Sequence, residues 1–490
     1  MATPARVTAA DLPPPKEAMF AQLVSLPRSF WMVNIMEMFE RLAYYGVRTV
    51  IPIYIAQADE PGGLHFTQVQ KGEIFFVWAV VQSLVPMFSG GYADRYGYKR
   101  TIMASVFLKT IGYLLMATQR GFYPFLFGCC VLAFGTATFK PGVQGTMSQS
   151  LSTRNSGVGW GTFYMLVNVG GFLGPPLAHF LYGVSWPAVF YGCAVIVSLN
   201  FLMLVTYEEV HPGGEQKGGP IDVMMITFRN FANMRLVIFI AIMSGFWLMF
   251  NQLFDMLPNF IVDWVDSSSL VAALHLPGFM LQLNSQRGPQ LAQEWMLNFN
   301  PGLIILFVVP LSWAVSRVRR VVSITVGIAV SSVGLLIAGF QMSGWMCMAG
   351  ILFFSVGEML ASPKMNEYLG VIAPEGQKGL YMGYANVPLA IGWGYGSLMG
   401  GEVYDRLGDK ANLAASYLST QFHLTDVPRD AAFAKLIELT HTDAAGVTRL
   451  LWNAYHPYQL WYRFVAIGIV SAIGMWCYSL WVKRFEPADV

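Results

Sequence analysis

The sequence predicts an all-α membrane protein with twelve transmembrane helices, and its composition and apolar runs both support that class. Hydrophobic residues make up 55% of the 490-residue chain and charged residues only 12%, which is about half the charged share of a soluble domain. Apolar runs that reach or approach the ~20 residues a helix needs to cross hydrocarbon recur along the chain. Several soluble domains would need more surface charge, and a disordered chain would be far less apolar.

The spans and the segments between them follow from where these runs begin and end. In chain order the twelve runs lie at about 29–57, 73–93, 101–118, 122–148, 157–182, 186–206, 234–262, 301–317, 321–340, 344–363, 379–403 and 459–482. The sequence therefore divides into an N-terminal segment, a six-helix half, a glycine-rich linker, a second six-helix half with a polar outer excursion, and a tail, at 1–28, 29–206, 207–233, 234–484 (excursion 404–458) and 485–490.

The placement of lysine and arginine predicts the orientation. With both termini cytoplasmic, the cytoplasmic segments carry 17 basic residues and the short outer loops only three, one of them Lys71, in agreement with the positive-inside rule. Segment 1–28 has no apolar core, so no cleaved signal peptide is expected. We therefore expect a multi-pass protein of the cell inner membrane.

The two halves show a trace of internal repetition. Four glycines of the fifth span match four of the eleventh at a constant offset of 222 residues, namely Gly157, Gly161, Gly170 and Gly174 against Gly379, Gly383, Gly392 and Gly396. Secondary transporters are built from internal repeats of this kind. Close packing by glycines, which are common in membrane helices, is the plainer alternative.

Charge and motifs exclude several classes of protein. A net charge of +2 gives no electrostatic footprint for nucleic acid. The five cysteines and seven histidines show no zinc spacing, and no nucleotide-binding, hydrolase or zinc-protease motif occurs. We therefore expect a protein that is not an enzyme, that has no cofactor or metal, that uses an ion gradient or is passive, and that needs membrane lipid but no obligate protein partner.

The first span carries charges that a packing helix would not need. Its polar side chains recur at steps of three and four residues and so share one helix face: Glu37, Glu40, Arg41, Tyr44, Tyr45 and Arg48. A charge at the bilayer centre costs ~2.5–3.5 kcal/mol on insertion scales. We therefore favour a functional face over the alternative, which is a salt-bridge cluster that only locks helices together.

Two further charges lie in opposite halves, each near a proline. Lys140 is in the fourth span and Glu358 in the tenth, and a proline can open the helical hydrogen-bond ladder. They are candidate poles for a zwitterionic solute in a central cavity, whereas a static buried pair is the alternative. Asn168 and Asn300 are weaker polar candidates, and a plain helix cap is the equal alternative for Asn300.

Two other features, a lysine in the third span and the loop after the second span, are not expected to bind substrate. Lys109 in the third span is expected to extend to the inner surface rather than to act. The loop after the second span contains Gly90, Gly91, Asp94 and Arg95. Its glycines allow a turn, and Asp94 can cap a helix or bridge Arg95. We expect this loop to be a conformational latch and not a substrate site.

Motifs in both halves resemble those of known transporters. The Gly-Gly…Ala-Asp-Arg…Lys-Arg loop is similar to the signature between the second and third helices of the major facilitator superfamily. Glu37-x-x-Glu40-Arg41-x-x-Tyr44-Tyr45-Gly46 resembles the signature of proton-coupled oligopeptide transporters. Further motifs are similar to that family's: Phe163-Tyr164-x-x-x-Asn168-x-Gly170, Asn300-Pro301 and Gly357-Glu358-x-x-x-Ser362-Pro363.

The resemblance implies two six-helix bundles that import di- and tripeptides together with protons. It implies that Glu37, Glu40 and Arg41 take part in proton coupling. It assigns the peptide carboxylate to Arg48 and Lys140, the amino group to Glu358, and the cavity lining to Tyr45, Asn168 and Asn300.

This sequence departs from the family pattern at three places. Leu42 stands where phenylalanine is usual. Asn251 precedes Gln252 where an acidic residue is usual, and Asp255, one helical turn on, is a possible substitute in proton coupling. The 207–233 linker has no room for the two extra helices of many bacterial relatives.

Two alternatives to peptide import stay open at this point. The same machinery could carry another anion or zwitterion, such as nitrate or an amino-acid conjugate. A receptor or scaffold would bind peptide but show no flux under a proton gradient.

Overall fold

The computed structural model describes residues 19–86, 93, 95–152, 155–209, 233–283, 285–315, 318–374, 381 and 383–483. Within these ranges the chain is helical between short loops, and the predicted all-α class is confirmed. Most of segment 1–28, most of the 207–233 linker and the whole tail 485–490 lie outside the described residues.

Twelve long helical spans, which we number α1 to α12, occur in the described part of the chain. In the first half α1–α6 are Arg28–Ala56, Gln68–Leu84, Tyr98–Thr118, Phe122–Ser150, Ser156–Tyr182 and Trp186–Leu204. In the second half α7 has three pieces, Met234–Phe250, Gln252–Asp255 and Leu257–Trp264, and α8–α12 are Gln293–Ala314, Arg320–Phe340, Gly344–Ile372, Asn386–Leu407 and Leu460–Val482. Shorter helices at the outer side are Ser268–Leu274, Lys410–Phe422, Arg429–Thr440 and Ala444–Tyr455.

Eight of the helices among the described residues are long and apolar enough to cross a membrane. The others are α1, which carries the charged face, α2, which has 17 residues, and the glycine-rich α5 and α11. Two ends differ from the apolar runs, because α8 begins at Gln293 rather than at about 301 and α10 continues to Ile372. The first turns of α8 are polar but are buried against the other half, so hydropathy alone misses them.

Each half has its own hydrophobic core. One core consists of side chains from α1–α6 together with Trp393 of α11, and the other of side chains from α7–α12. The second core also contains Leu418, Phe433 and Val447 from the outer excursion. The excursion is therefore packed as part of the second half and is not a separate polar loop.

The glycine repeat corresponds to the same packing in both halves. A Cβ atom on Gly170 of α5 would overlap the carbonyl oxygen of Met38 in α1, and one on Gly392 of α11 would overlap that of Ser244 in α7. The fifth helix of each half thus lies directly on the first at matching positions. This agreement supports the internal repeat over a chance coincidence of glycines.

Candidate functional site

A buried charged cluster lies on α1 inside the first half. Nε of Arg41 is 2.9 Å from Oε1 of Glu37, and its Nη2 is 2.6 Å from Oε2 of Glu40. Lys109 of α3 is buried beside them, with Nζ 3.7 Å from Oε1 of Glu40 and 3.4 Å from the centre of the Phe139 ring. The expectation that Lys109 reaches the surface is therefore wrong, because Glu40 supplies a nearer counter-charge.

Lys140 lies on α4 and is exposed. It forms no hydrogen bond or ion pair with any residue that the structure describes, so the static pair with Glu358 is not formed. Asn168 is half-buried on α5, and its Nδ2 donates to the carbonyl oxygen of Tyr164 at 2.8 Å. Because Lys140 has no partner among the described residues, its ammonium group is free to receive an anionic group.

Glu358 of α10 faces α8. Nδ2 of Asn300 donates to Oε2 of Glu358 and to Oγ of Ser355, both at 2.9 Å. Asn300 lies within α8 and not at its start, so the helix-cap alternative is wrong. Glu358 is thus a half-buried anion held in place by one amide.

Arg48 joins the two halves at the end of the charged face. It forms a buried ion pair with Asp255 of α7, whose second oxygen accepts a 2.7 Å hydrogen bond from Ser397. The guanidinium lies 4.8 Å and 5.0 Å from the ring centres of Phe75 and Trp393. In this state Arg48 is occupied by a carboxylate of the protein, so binding a peptide carboxylate would require this ion pair to open.

Asp255 and not Asn251 makes this connection. Nδ2 of Asn251 donates to the carbonyl oxygen of Trp247 in its own helix at 2.7 Å. The carboxylate one turn further on is the one that meets Arg48. The structure thus pairs Asp255 with Arg48, and the part of Asp255 in proton coupling stays a prediction.

Among the residues that the structure describes, hydrogen bonds between the halves are concentrated at the outer ends of the spans. Nζ of Lys71 donates to Oδ1 of Asn259 at 2.8 Å, and Nε2 of Gln57 donates to Oδ1 of Asp263 at 2.9 Å. The assignment of Lys71 to an outer loop is wrong, because it lies buried within α2. We call this set of contacts the outer seal.

The outer seal continues where α5 meets α8. Nδ1 of His179 lies 2.8 Å from Oε1 of Glu294, and Nε2 of Gln293 donates to the carbonyl oxygen of Thr49 at 3.1 Å. Sequence reasoning did not select these residues, since each partner is more than 100 positions away. With the outer ends of the described spans bonded together and Lys140 exposed, we interpret the structure as an inward-facing state.

The loop after α2 is described only in part. Asp94 lies outside the described residues. Arg95 is exposed, and its guanidinium is 5.8 Å from the ring centre of Tyr96. Nearby, Nζ of Lys99 donates to the carbonyl oxygen of Tyr207 at 2.8 Å, which joins the start of α3 to the end of α6. The latch role of Asp94 and Arg95 stays a prediction.

A titratable carboxyl lies in the outer loop between α1 and α2. Burial raises the pKa of Glu60 to about 7, against a 3.1 Å hydrogen bond that Nε1 of Trp186 donates to it. Because the folded pKa lies above the unfolded one, stability from this group falls as pH rises from about 4.5 to 7.

We expect Glu60→Gln to flatten the pH dependence of the melting temperature in that window. In the unmodified protein, ionisation of Glu60 between pH 4.5 and pH 7 lowers the free energy of unfolding by about 1–2 kcal/mol, after allowing for partial exposure. The substitution abolishes this decrease. Glutamine keeps the acceptor for Trp186. Thermal unfolding of the purified protein at pH 4.5 and pH 7 measures the change. Glu438→Gln, at an exposed side chain of the outer excursion, is the control. An unchanged pH slope in Glu60→Gln would contradict this prediction.

Comparison with known proteins gives the family. The sequence model described as the Major Facilitator Superfamily matches residues 33–283, more than half of the chain. Among curated relatives, the "Multidrug resistance protein MdtH" of Yersinia enterocolitica serotype O:8 / biotype 1B is 22% identical over 394 residues, covering 79% of this chain and 89% of that protein. The protein of that name from Enterobacter sp. (strain 638) is 22% identical over 326 residues, covering 66% and 75%.

Solved structures share the fold along almost the whole chain. A POT family transporter in complex with 5-aminolevulinic acid is 14% identical with a TM-score of 0.67, covering 95% of this chain and 100% of that one. A structure described under substrate recognition in proton dependent oligopeptide transporters is 18% identical with a TM-score of 0.67, covering 94% and 99%. Identities this low show a common fold.

The two bundles, the repeat of α1 on α5 and α7 on α11, and the family match agree with one another. The protein is a transporter and not an enzyme, and it is a multi-pass protein of the cell inner membrane, as predicted. The chain belongs to the Major Facilitator Superfamily.

Proposed function

We propose that this transporter is a proton-coupled symporter that imports di- and tripeptides by alternating access. Two side chains, one in each half, carry the proposal. Lys140 on α4 is a cation without a partner among the described residues, and Glu358 on α10 is a carboxylate held by the amide of Asn300. A zwitterionic peptide presents a carboxylate and an ammonium group that match these two poles. The solved POT family and proton dependent oligopeptide transporters of the same fold support the same substrate class.

The α1 cluster is the proposed coupling site. Burial disfavours the charged form of a carboxylate, whereas a neighbouring guanidinium favours it. Movement of Arg41 relative to Glu37 or Glu40 would therefore change the proton affinity of those carboxylates. The proton gradient is the proposed driving force, and no cofactor is required.

The ion pair of Arg48 and Asp255 is the proposed outer switch of the cycle. It joins α1 to α7 in the inward-facing state, so it must open for the halves to rock apart on the outer side. A proton on Asp255 would weaken its attraction to Arg48 and favour opening. Arg48 would then be released toward the cavity, where the resemblance assigns it to the peptide carboxylate.

The test is uptake of labelled dialanine into liposomes that contain the purified protein. With an acidic outside, we expect accumulation above the external concentration, and with equal pH on both sides we expect equilibration only. Excess unlabelled dialanine should compete. Uptake that ignores both the pH gradient and the competing peptide would refute the proposal.

A second candidate is export of lipophilic compounds, because the curated relatives are named multidrug resistance proteins. The same liposomes distinguish it. An exporter would move a lipophilic cationic dye across the membrane in exchange for protons, and dialanine would not inhibit that movement. The separated Lys140 and Glu358 charges favour a zwitterion, since a lipophilic cation would leave Lys140 unpaired.

A further inference from the structure

The outer excursion, residues 404–458, is built into the second half. Its helices Lys410–Phe422, Arg429–Thr440 and Ala444–Tyr455 place Leu418, Leu436 and Leu451 in the second hydrophobic core. Any rigid movement of the second half must therefore carry the excursion with it.

One side chain of the excursion bonds to the first half. Arg429 donates from Nη2 to the carbonyl oxygen of Ala56 at 3.0 Å and from Nη1 to that of Phe66 at 3.1 Å. Ala56 is the last residue of α1 and Phe66 lies just before α2. A cation at a helix C-terminus is favourable, since the last carbonyl groups carry partial negative charge and lack helical partners. Arg429 thus closes over the ends of two first-half helices.

Asp409 fixes the arginine in this position and adds a contact of its own. Its Oδ2 lies 2.5 Å from Nη2 of Arg429 and accepts a 3.0 Å hydrogen bond from Nε2 of Gln68 in α2. Nearby, the backbone N–H of Gln68 donates to Oδ1 of Asp405 at 3.3 Å. Gln68 and Asp409 are both buried. The carboxylate therefore links the excursion to the first half and holds Arg429 toward it.

Outward opening must break these bonds. The first-half partners are Ala56, Phe66 and Gln68, and the second-half partners are Asp405, Asp409 and Arg429. Bonds to a charged group are about twice as strong as neutral ones, and an opened outer side would leave these groups to be rehydrated.

We propose that the excursion is an outer clamp that stabilises the inward-facing state by binding the α1–α2 loop of the first half. Arg429 makes the contact with that loop, and Asp409 is the residue that positions Arg429. The role in a cycle rests on the proposed transport function. The clamp itself is a contact between two parts of one chain and can be tested without substrate.

Hydrogen–deuterium exchange of the full-length protein in lipid nanodiscs measures the clamp. We expect Arg429→Gln to speed amide exchange in the α1–α2 loop, residues 57–67, by at least about tenfold, because one lost charged hydrogen bond corresponds to roughly that factor. Exchange within the helices Lys410–Phe422 and Ala444–Tyr455 should stay slow. Gln68→Leu removes a bond from the first-half side and should loosen the same loop to a smaller extent.

Arg449→Gln is the matched control, since Arg449 is an exposed arginine of the same excursion. In this variant the amides of residues 57–67 should exchange as fast as they do in the unmodified protein. The proposal is overturned if Arg429→Gln leaves residues 57–67 unchanged. It is also overturned if only the excursion helices lose protection, because Arg429 would then merely stabilise their fold. These readouts do not involve transport, so a failure of peptide uptake would leave the clamp standing.

Discussion

Lys140→Ala and Glu358→Ala should each reduce uptake of labelled dialanine by about 100-fold or more. Removing one member of a desolvated charge pair costs about 2–5 kcal/mol, and about 2.8 kcal/mol corresponds to 100-fold. In the proposed complex each residue pairs with one end of the peptide, so either truncation leaves a peptide charge without a partner. Initial uptake rates in liposomes under an inward proton gradient measure the loss.

The excursion offers matched controls for these two substitutions. Lys435 and Glu438 form an exposed ion pair at 2.9 Å on the outer surface, and surface pairs contribute little. We expect Lys435→Ala and Glu438→Ala to transport normally. Normal uptake by either Lys140→Ala or Glu358→Ala would instead assign that residue a structural role.

The second large effect concerns proton coupling. Glu37→Gln and Glu40→Gln should keep counterflow exchange of dialanine across liposomes yet lose accumulation driven by the pH gradient. Glutamine preserves size and most hydrogen bonding but cannot take up a proton and release it. Exchange needs only the peptide site and the rocking of the halves, whereas uphill transport needs the carboxylate to load and discharge a proton. The ratio of inside to outside peptide should therefore fall to about one.

Counterflow and gradient-driven uptake have to be measured on the same protein preparation, so that poor folding is not mistaken for loss of coupling. Glu402→Gln is a suitable control, because Glu402 is exposed and pairs with Arg406 in its own helix. Accumulation that persists in both Glu37→Gln and Glu40→Gln would exclude these carboxylates from coupling.

Features that depend on short stretches of sequence were predicted correctly. The all-α class follows from runs of apolar residues, since each span must satisfy its own backbone hydrogen bonds in lipid. The shared face of Glu37 and Arg41 follows from their spacing of four residues, and the structure joins them at 2.9 Å. The constant offset of the glycines likewise anticipated the packing of Gly170 and Gly392.

Features that depend on where one span meets another were not predictable in this way. Lys109 was misplaced because its partner Glu40 lies on a different helix. The start of α8 was placed too late in the sequence because the polar residues of its first turns are buried by the other half. The role of the excursion could not be read from the sequence, since Arg429 binds backbone carbonyl groups, which every residue possesses.

The sequence by itself determined that the chain crosses the membrane as helices, that it repeats, and that charges lie within its spans, because these properties are local. Only the tertiary structure decided that Arg48 meets Asp255, that Lys140 stands apart from Glu358, and that Arg429 closes over the first half. Those contacts join residues from different helices, and hydropathy and spacing carry no information about which helices become neighbours.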